Sequence, residues 1–310
     1  LFEGVLGIKK ATFGLDIGHA TMKMVQVKGV GPAARLAGAV EVAVPEESIT
    51  KDGIKEKKKL AKIIKAAVKE AQPSPINAKI VSSALPESLV FTKLIDLPKM
   101  TDKELAKNIP YQATEFFPLP VEETYMDWQV VGTLPNNSIE VLVVAAPRVL
   151  VNDLIETVKL AGFELMGLET KPIALIRALV RNHEPGPIIL IDIGATNTAL
   201  ICFDQGTLKL TSTLTFGGDQ IKLEPAETIK NLSAEVMHLI KYYQNRLGQV
   251  QVFKKIVLAG GGANIHQVTI VLQQLLKIKT EVGDPLIRLK NYDPKYAASI
   301  GLALKEIAYK

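Results

Sequence analysis

Two short runs hold the residues best suited to chemistry. Residues 12–28 read TFGLDIGHATMKMVQVK and residues 188–204 read IILIDIGATNTALICFD. Each is an apolar strand closing on Asp-Ile-Gly, followed by a turn of small and polar residues and a second strand-like run. Aligning Asp16 with Asp192 also brings Gly18 onto Gly194 and Thr21 onto Asn197. Strand, tight turn and strand is a β-hairpin pattern in which glycine supplies the turn. Successive N–H groups in such a turn form an anion-binding concavity. The aspartate at the strand end is placed to hold a magnesium ion through water. One Asp-x-Gly is an ordinary strand-ending turn. Two copies in register, with Gly260-Gly261-Gly262 after a third strand, point to a clamp on phosphates, the triglycine allowing the close backbone approach that an adenosine phosphate or ribose needs.

The elements that must position these residues follow from periodicity and punctuation. The second hairpin opens the second half of the chain, so two lobes are expected, each beginning with the same hairpin. A strand and loop over 40–51 lead to an amphipathic helix over 53–72, broken by Gln72-Pro73-Ser74-Pro75. Strands follow at 78–84 and 88–95, then a helix over 101–116 opened by Thr101 and Glu104, a capping box. Strands at 125–132 and 139–146 flank Pro135-Asn136-Asn137. A helix at 148–161 ends at Gly162. A strand at 163–169 and a helix at 172–182 reach the second hairpin. Beyond it come a strand at 207–215, the turn Phe216-Gly217-Gly218-Asp219, a helix at 225–247, a strand at 254–259, a helix at 265–276, a short strand near 279 and a last helix at 294–308. The order is mixed α/β. It is not a Rossmann order, because the glycines lie between hairpin strands rather than at a first strand-to-helix turn.

Composition narrows the function classes. The 310 residues are 47% hydrophobic and 22% charged, ordinary for a globular chain. The single Cys202 excludes a disulfide framework, and the four histidines lack metal-ligand spacing. No apolar run reaches the roughly 18–20 residues of a membrane span, and LFEGVLGIKK lacks the features of a secretory signal. Leu1, Phe2, Val5 and Leu6 make at most a small apolar patch. The net charge of +5 equals that of residues 51–70 alone, with eight lysines against Asp52, Glu56 and Glu70. This lysine face reads as solvated or as meeting an anionic membrane surface. Nucleic acid is not expected, since no aromatic-interleaved basic groove accompanies it.

FGLDIGHATMK, ILIDIGATNTAL and VLAGGGANI resemble the two phosphate motifs and the adenosine motif of the actin-like ATPases, a superfamily with ribonuclease H-like duplicated lobes that includes actin, Hsp70-type chaperones, sugar kinases and FtsA. Within it, LIDLPKMTDKELAKNIPYQATEFFPLPVEETYMDWQVVG is similar to the inserted subdomain of the PilM family. AAPRVLVNDLIETVKLAGFEL and LETKPIALIRAL are also similar to that family. The resemblance implies a first lobe over 11–85, an inserted subdomain over 86–162, a return to the first lobe over 163–187, and a second lobe over 188–310 with a last helix crossing back. Only IKLEPAETIK joins Asp219 to the helix at 231, where the family has a longer outer subdomain, so that subdomain is either reduced here or short of some residues in the sequence given. The resemblance further implies ATP or ADP with magnesium. Asp16, Gly18, His19 and Ala20 would form the first phosphate loop, and Asp192, Gly194, Ala195, Thr196 and Asn197 the second, both aspartates facing the metal. Lys23 would reach a phosphate, unless it is an ordinary strand-surface lysine. Gly217, Gly218 and Asp219 would lie on the ribose side. Glu235, Gly261, Gly262 and Asn264 would close on the adenosine, although a helical glutamate is commonly just solvated.

The same resemblance implies a cytoplasmic assembly protein of the type IV pilus inner-membrane platform, reaching the membrane only through the N-terminal tail of PilN, with other platform proteins and a further copy of itself as possible partners. A groove within 88–130 would take that tail, Trp128 being either an anchor there or a core residue. The alternatives are an FtsA-like polymerising protein, disfavoured because the chain ends at KEIAYK without an amphipathic helix, and a small-molecule kinase, for which no sequence motif supplies the carboxylate base. Glu115 would at most orient a water for weak ATP hydrolysis.

Overall fold

The computed structural model describes residues 11–18, 20–29, 34–50, 52–134, 136–181, 184, 186–247, 252–285 and 293–305. His19, Lys51, Pro135, the apolar residues of 1–10 and the end of the last helix lie outside them.

The first lobe opens with β1 (Thr12–Ile17), β2 (Thr21–Lys28) and β3 (Arg35–Ala43) as an antiparallel meander. The short β4 (Ile49–Thr50) and β5 (Gly53–Ile54) pair before α1 (Lys57–Glu70), so the expected helix loses its first turn to that hairpin. Helix α1 buries Leu60, Ile64 and Val68 and leaves Lys58, Lys62, Lys65 and Lys69 exposed, as its periodicity requires. After β6 (Gln72–Pro73), strand β7 (Ile80–Leu85) runs parallel to β1.

The inserted unit is a three-stranded sheet in the order β8 (Phe91–Leu97), β10 (Ile139–Pro147), β9 (Thr124–Thr133), covered by α2 (Asp102–Ala113). The capping box forms at α2: Thr101 Oγ1 accepts from the Glu104 N–H while the Glu104 carboxylate accepts from the Thr101 N–H. Helix α3 (Arg148–Leu160), which the sequence reading placed inside 86–162, instead buries Leu150, Leu154 and Val158 in the core of the first lobe. Lys57 of α1 pairs with its Asp153 at 3.0 Å. We therefore end the insertion at Pro147.

Strand β11 (Glu164–Thr170) is parallel to β7 and leads directly into α4 (Lys171–Leu179). The second lobe repeats the pattern with β12 (Ile188–Ile193), β13 (Thr198–Asp204) and β14 (Thr207–Leu214) as a meander. Helix α5 (Gly218–Leu223) forms where a turn was expected and meets α6 (Pro225–Leu247) almost without a linker. Strand β15 (Lys255–Ala259) is parallel to β12, and α7 (His266–Leu276) and β16 (Lys279–Val282) follow. Strand order is β14-β13-β12-β15-β16 in the second lobe and β3-β2-β1-β7-β11 within the first, so the two sheets are duplicates. The last helix, α8 (Ala297–Ala303), packs between β1 and α4. A Cβ on Gly14 of β1 would meet the Leu302 Cβ and the Ala303 nitrogen at 2.8 Å, so only glycine lets α8 lie this close.

The two lobes and the insertion are tied by charge as well as by apolar packing. Lys209 of β14 donates to Glu140 of β10 at 2.6 Å with both side chains buried. Arg246 of α6 pairs with Asp96 of β8 at 2.5 Å.

Candidate functional site: a phosphate cleft and a strand-edge groove

The duplication places the two Asp-Ile-Gly turns opposite each other. Gly18 donates to the Thr21 carbonyl at 3.0 Å, and Gly194 donates to the Asn197 carbonyl at 2.9 Å. These are the same turn twice, in the register that the sequence alignment gives. Asp16 and Asp192, at the ends of the buried strands β1 and β12, are 3% and 5% exposed. Between the hairpins lies a cleft of about 90 Å³, into which Gly18, Ala20, Lys23, Asp192 and residues 194–197 open. That volume suits phosphate groups. It is below the roughly 300–1,000 Å³ of ordinary ligand pockets and covers the phosphate turns alone.

Other expected residues take supporting places. Gly217 and Gly218 are buried behind the second turn, where Gly218 donates to the Gly194 carbonyl at 2.8 Å and Asp219 to that of Ala195 at 3.0 Å. A Cβ on Gly217 would stand 2.6 Å from both the Gly194 and the Ala195 carbonyl oxygens, so glycine here sets the loop's position. Gly262 packs on Ile193, Gly261 is exposed, and Asn264 donates to Asp293 at 3.0 Å. Lys23 donates to Thr21 Oγ1 at 2.6 Å and pairs with Glu41, which also binds Lys295.

Glu235 is the residue expected on the adenosine side. It sits on α6 beside His238, at 3.7 Å, and faces a different groove between β8, β14 and α6. It is not among the residues lining the phosphate cleft, because α6 presents this side chain to the edge of β14. Glu115 lies exposed just beyond α2 and does not line the cleft either.

Two residues escaped the sequence reading altogether. Lys171, at the start of α4, reaches Asp192 Oδ2 at 2.7 Å and Asp16 Oδ2 at 3.5 Å. Burial would lower its pKa, but the two aspartates outweigh this and hold the ammonium above the usual lysine range. Glu87, in the turn before β8, lines the same cleft with Oε2 buried and without a hydrogen-bond partner. Burial raises its carboxyl to about 7 despite the nearby Lys171 charge, with Asp192 adding to the rise. The expected magnesium ion therefore meets an obstacle. Asp16 and Asp192 do face each other as that reading asks, yet a cation of the chain itself spans them, and as they stand they do not fit a metal.

A second, larger opening of about 420 Å³ lies between the insertion and the first lobe. Residues 125–129 of β9 line it consecutively, as do residues 168–170 of β11. Side chains alternate along a strand, so an unbroken lining brings the strand edges of β9 and β11 into the groove, while Leu142, Val144 and Ala146, at alternate positions of the central β10, form its floor on one face of the insertion sheet. Strands β9 and β11 are the terminal strands of their sheets, so their outer edges are unpaired within those sheets. Trp128 packs on the core of the insertion and is also among the residues lining this groove. Groove and cleft meet at two points in the chain: Leu85 and Thr170 line the groove, while Pro86 and Lys171, the next residues, line the cleft.

Duplicated meander sheets with paired Asp-Ile-Gly turns at the cleft define the actin-like ATPase fold. The chain belongs to the type IV pilus assembly protein PilM family, whose family model matches residues 14–228. Among solved structures it is similar to a chain of the PilM–PilN type IV pilus biogenesis complex, with 22% identity, a TM-score of 0.83 and coverage of 96% of this chain and 99% of that one. It is also similar in fold to the ethanolamine utilization protein EutJ from Carboxydothermus hydrogenoformans (18% identity, TM-score 0.52, 94% and 88% covered). A third is the cytoplasmic domain of EpsL from the Vibrio cholerae type II secretion system (13% identity, TM-score 0.54, 96% and 95% covered).

Proposed function

We propose that this chain is an assembly component of a type IV pilus platform that captures the extended N-terminal tail of PilN in the groove between β9 and β11 and holds the phosphates of ATP or ADP between the Asp16 and Asp192 turns. The observation that carries the reading is the consecutive lining of one groove by two unpaired strand edges. Such an edge recognises an extended peptide through its main chain, with side-chain pockets adding selectivity. Tyr125, Met126, Trp128 and Ile173 supply apolar surface for those pockets, and Arg148 stacks 4.4 Å over the Tyr125 ring to brace it. Among the described residues no helix is long and apolar enough to cross a membrane.

The test is fluorescence anisotropy with a labelled peptide of the PilN N-terminal segment and the purified chain. Saturable binding that weakens about tenfold or more in Trp128→Ala, measured on a variant whose circular dichroism shows the fold retained, is the expected result. No binding to the folded chain overturns the docking role. Calorimetry with ATP, comparing the chain with Asp192→Ala, tests the cleft in parallel.

A further inference from the structure

We propose that Lys171 is the resident cation of the phosphate cleft, its ammonium standing between Asp16 and Asp192 where a divalent ion would have to sit, so that nucleotide phosphates are taken up here without magnesium. The proposal rests on the reading that the cleft holds a nucleotide. It is carried by geometry. Lys171 Nζ contacts one carboxylate from each lobe, at 2.7 and 3.5 Å, and the two aspartate side chains are only 6% and 4% exposed. So enclosed an ion pair is weakly screened by water or salt.

The position of the lysine in its element points the same way. Lys171 is the first residue of α4 and precedes Pro172. A cation at a helix N-terminus opposes the helix dipole, so nothing in α4 itself favours lysine there. The aspartate pair does. Magnesium asks for near-octahedral oxygens at about 2.0–2.1 Å and would bring two positive charges against an ammonium held from both sides. With Lys171 in place the facing carboxylates are offset, and Lys23 adds a second cation to the cleft lining. Any attraction for phosphate oxygens then comes from the Lys171 and Lys23 ammonium groups and the N–H groups of the two turns rather than from a metal.

Two measurements on the full chain decide it. The first is manganese binding followed by electron paramagnetic resonance. The wild type should show no manganese site that is lost in Asp192→Asn, whereas Lys171→Gln, with its two carboxylates freed, should gain one and should be stabilised thermally by manganese or magnesium. The second is calorimetry with ADP and ATP. Wild-type affinity should change by less than about threefold between EDTA and magnesium, and Lys171→Gln should lose about tenfold or more in EDTA and recover with magnesium. A manganese site in the wild-type cleft, or a wild-type affinity that falls about tenfold or more in EDTA, overturns the proposal. So does a folded Lys171→Gln that gains no manganese site. If Lys171→Gln does not fold, the two wild-type comparisons stand alone. Failure of any nucleotide to bind, with or without magnesium, removes the nucleotide reading, while the manganese comparison still decides the role of Lys171.

Discussion

Lys171 Nζ and Asp192 Oδ2 lie 2.7 Å apart although helix α4 of the first lobe supplies one and strand β12 of the second supplies the other. The pair, with Asp16 at 3.5 Å, is a bridge across the cleft at the level of the phosphate turns. Because one ammonium serves two carboxylates, removing one leaves the other to hold it. Asp16→Asn and Asp192→Asn should each cost about 1–3 kcal/mol, and the double variant more than their sum, since it strands a buried cation. Urea melts of the three variants check this, and simple additivity would show that Lys171 is solvated instead.

Glu87 gives the chain a pH-dependent strain beside the same bridge. Its carboxyl is raised to about 7 by burial, above the ordinary value near 4.5 that an unfolded chain would show. Below the lower value both states are protonated and the group is neutral to stability. Between the two values the unfolded chain releases a proton that the folded one keeps, so stability is lost as pH rises, and the loss is complete above about pH 7. Glu87→Gln should therefore stabilise the protein at pH 8 by about 1–2 kcal/mol more than at pH 5, less than the full shift allows because part of the loss is already present at pH 5. Equal gains at both pH values in chemical unfolding would contradict this.

How far the sequence reached depends on whether a signal was local. The paired turns were legible because each is complete within a few residues, Gly18 to Thr21 and Gly194 to Asn197. The α2 cap was legible for the same reason, Thr101 and Glu104 being one turn apart. Lys171 was not, since its partners are distant in the chain and a lysine opening a helix looks unremarkable. Its only local mark is its place against the helix dipole. Helix α5 was hidden by its shortness, between a glycine pair and Pro225. The groove was half legible: β9 and β11 could be drawn as strands, but only strand order reveals that both are edges.

Lys209 and Glu140 are the buried tie between the second lobe and the insertion. Lys209→Met leaves the Glu140 carboxylate with only Arg246, 3.7 Å away, and should destabilise the chain by about 3 kcal/mol. Lys209→Met combined with Glu140→Leu should recover most of that loss, since replacing both charges removes the desolvation cost of each. Thermal melts of the single and double variants decide whether the pair contributes stability or only fixes the docking of the insertion.

Gly217 holds the second phosphate turn in place from behind. A methyl group there would stand 2.6 Å from the carbonyl oxygens of Gly194 and Ala195, and both belong to backbone that carries the turn. Gly217→Ala must therefore push residues 194–197 into the cleft or strain α5, at a cost of about 1–3 kcal/mol. Nucleotide affinity should fall about tenfold or more, because the donors no longer face the phosphates. The groove between β9 and β11 shares no residue with this contact, so tail binding should survive. Gly206 is the control: its φ of 78° strains an alanine, but nothing lies within 4 Å of the added methyl. Gly206→Ala should cost about 1 kcal/mol in stability and leave nucleotide affinity alone. Calorimetry of both variants separates a loss at the turn from a loss of fold, and equal affinities would remove Gly217 from the phosphate site.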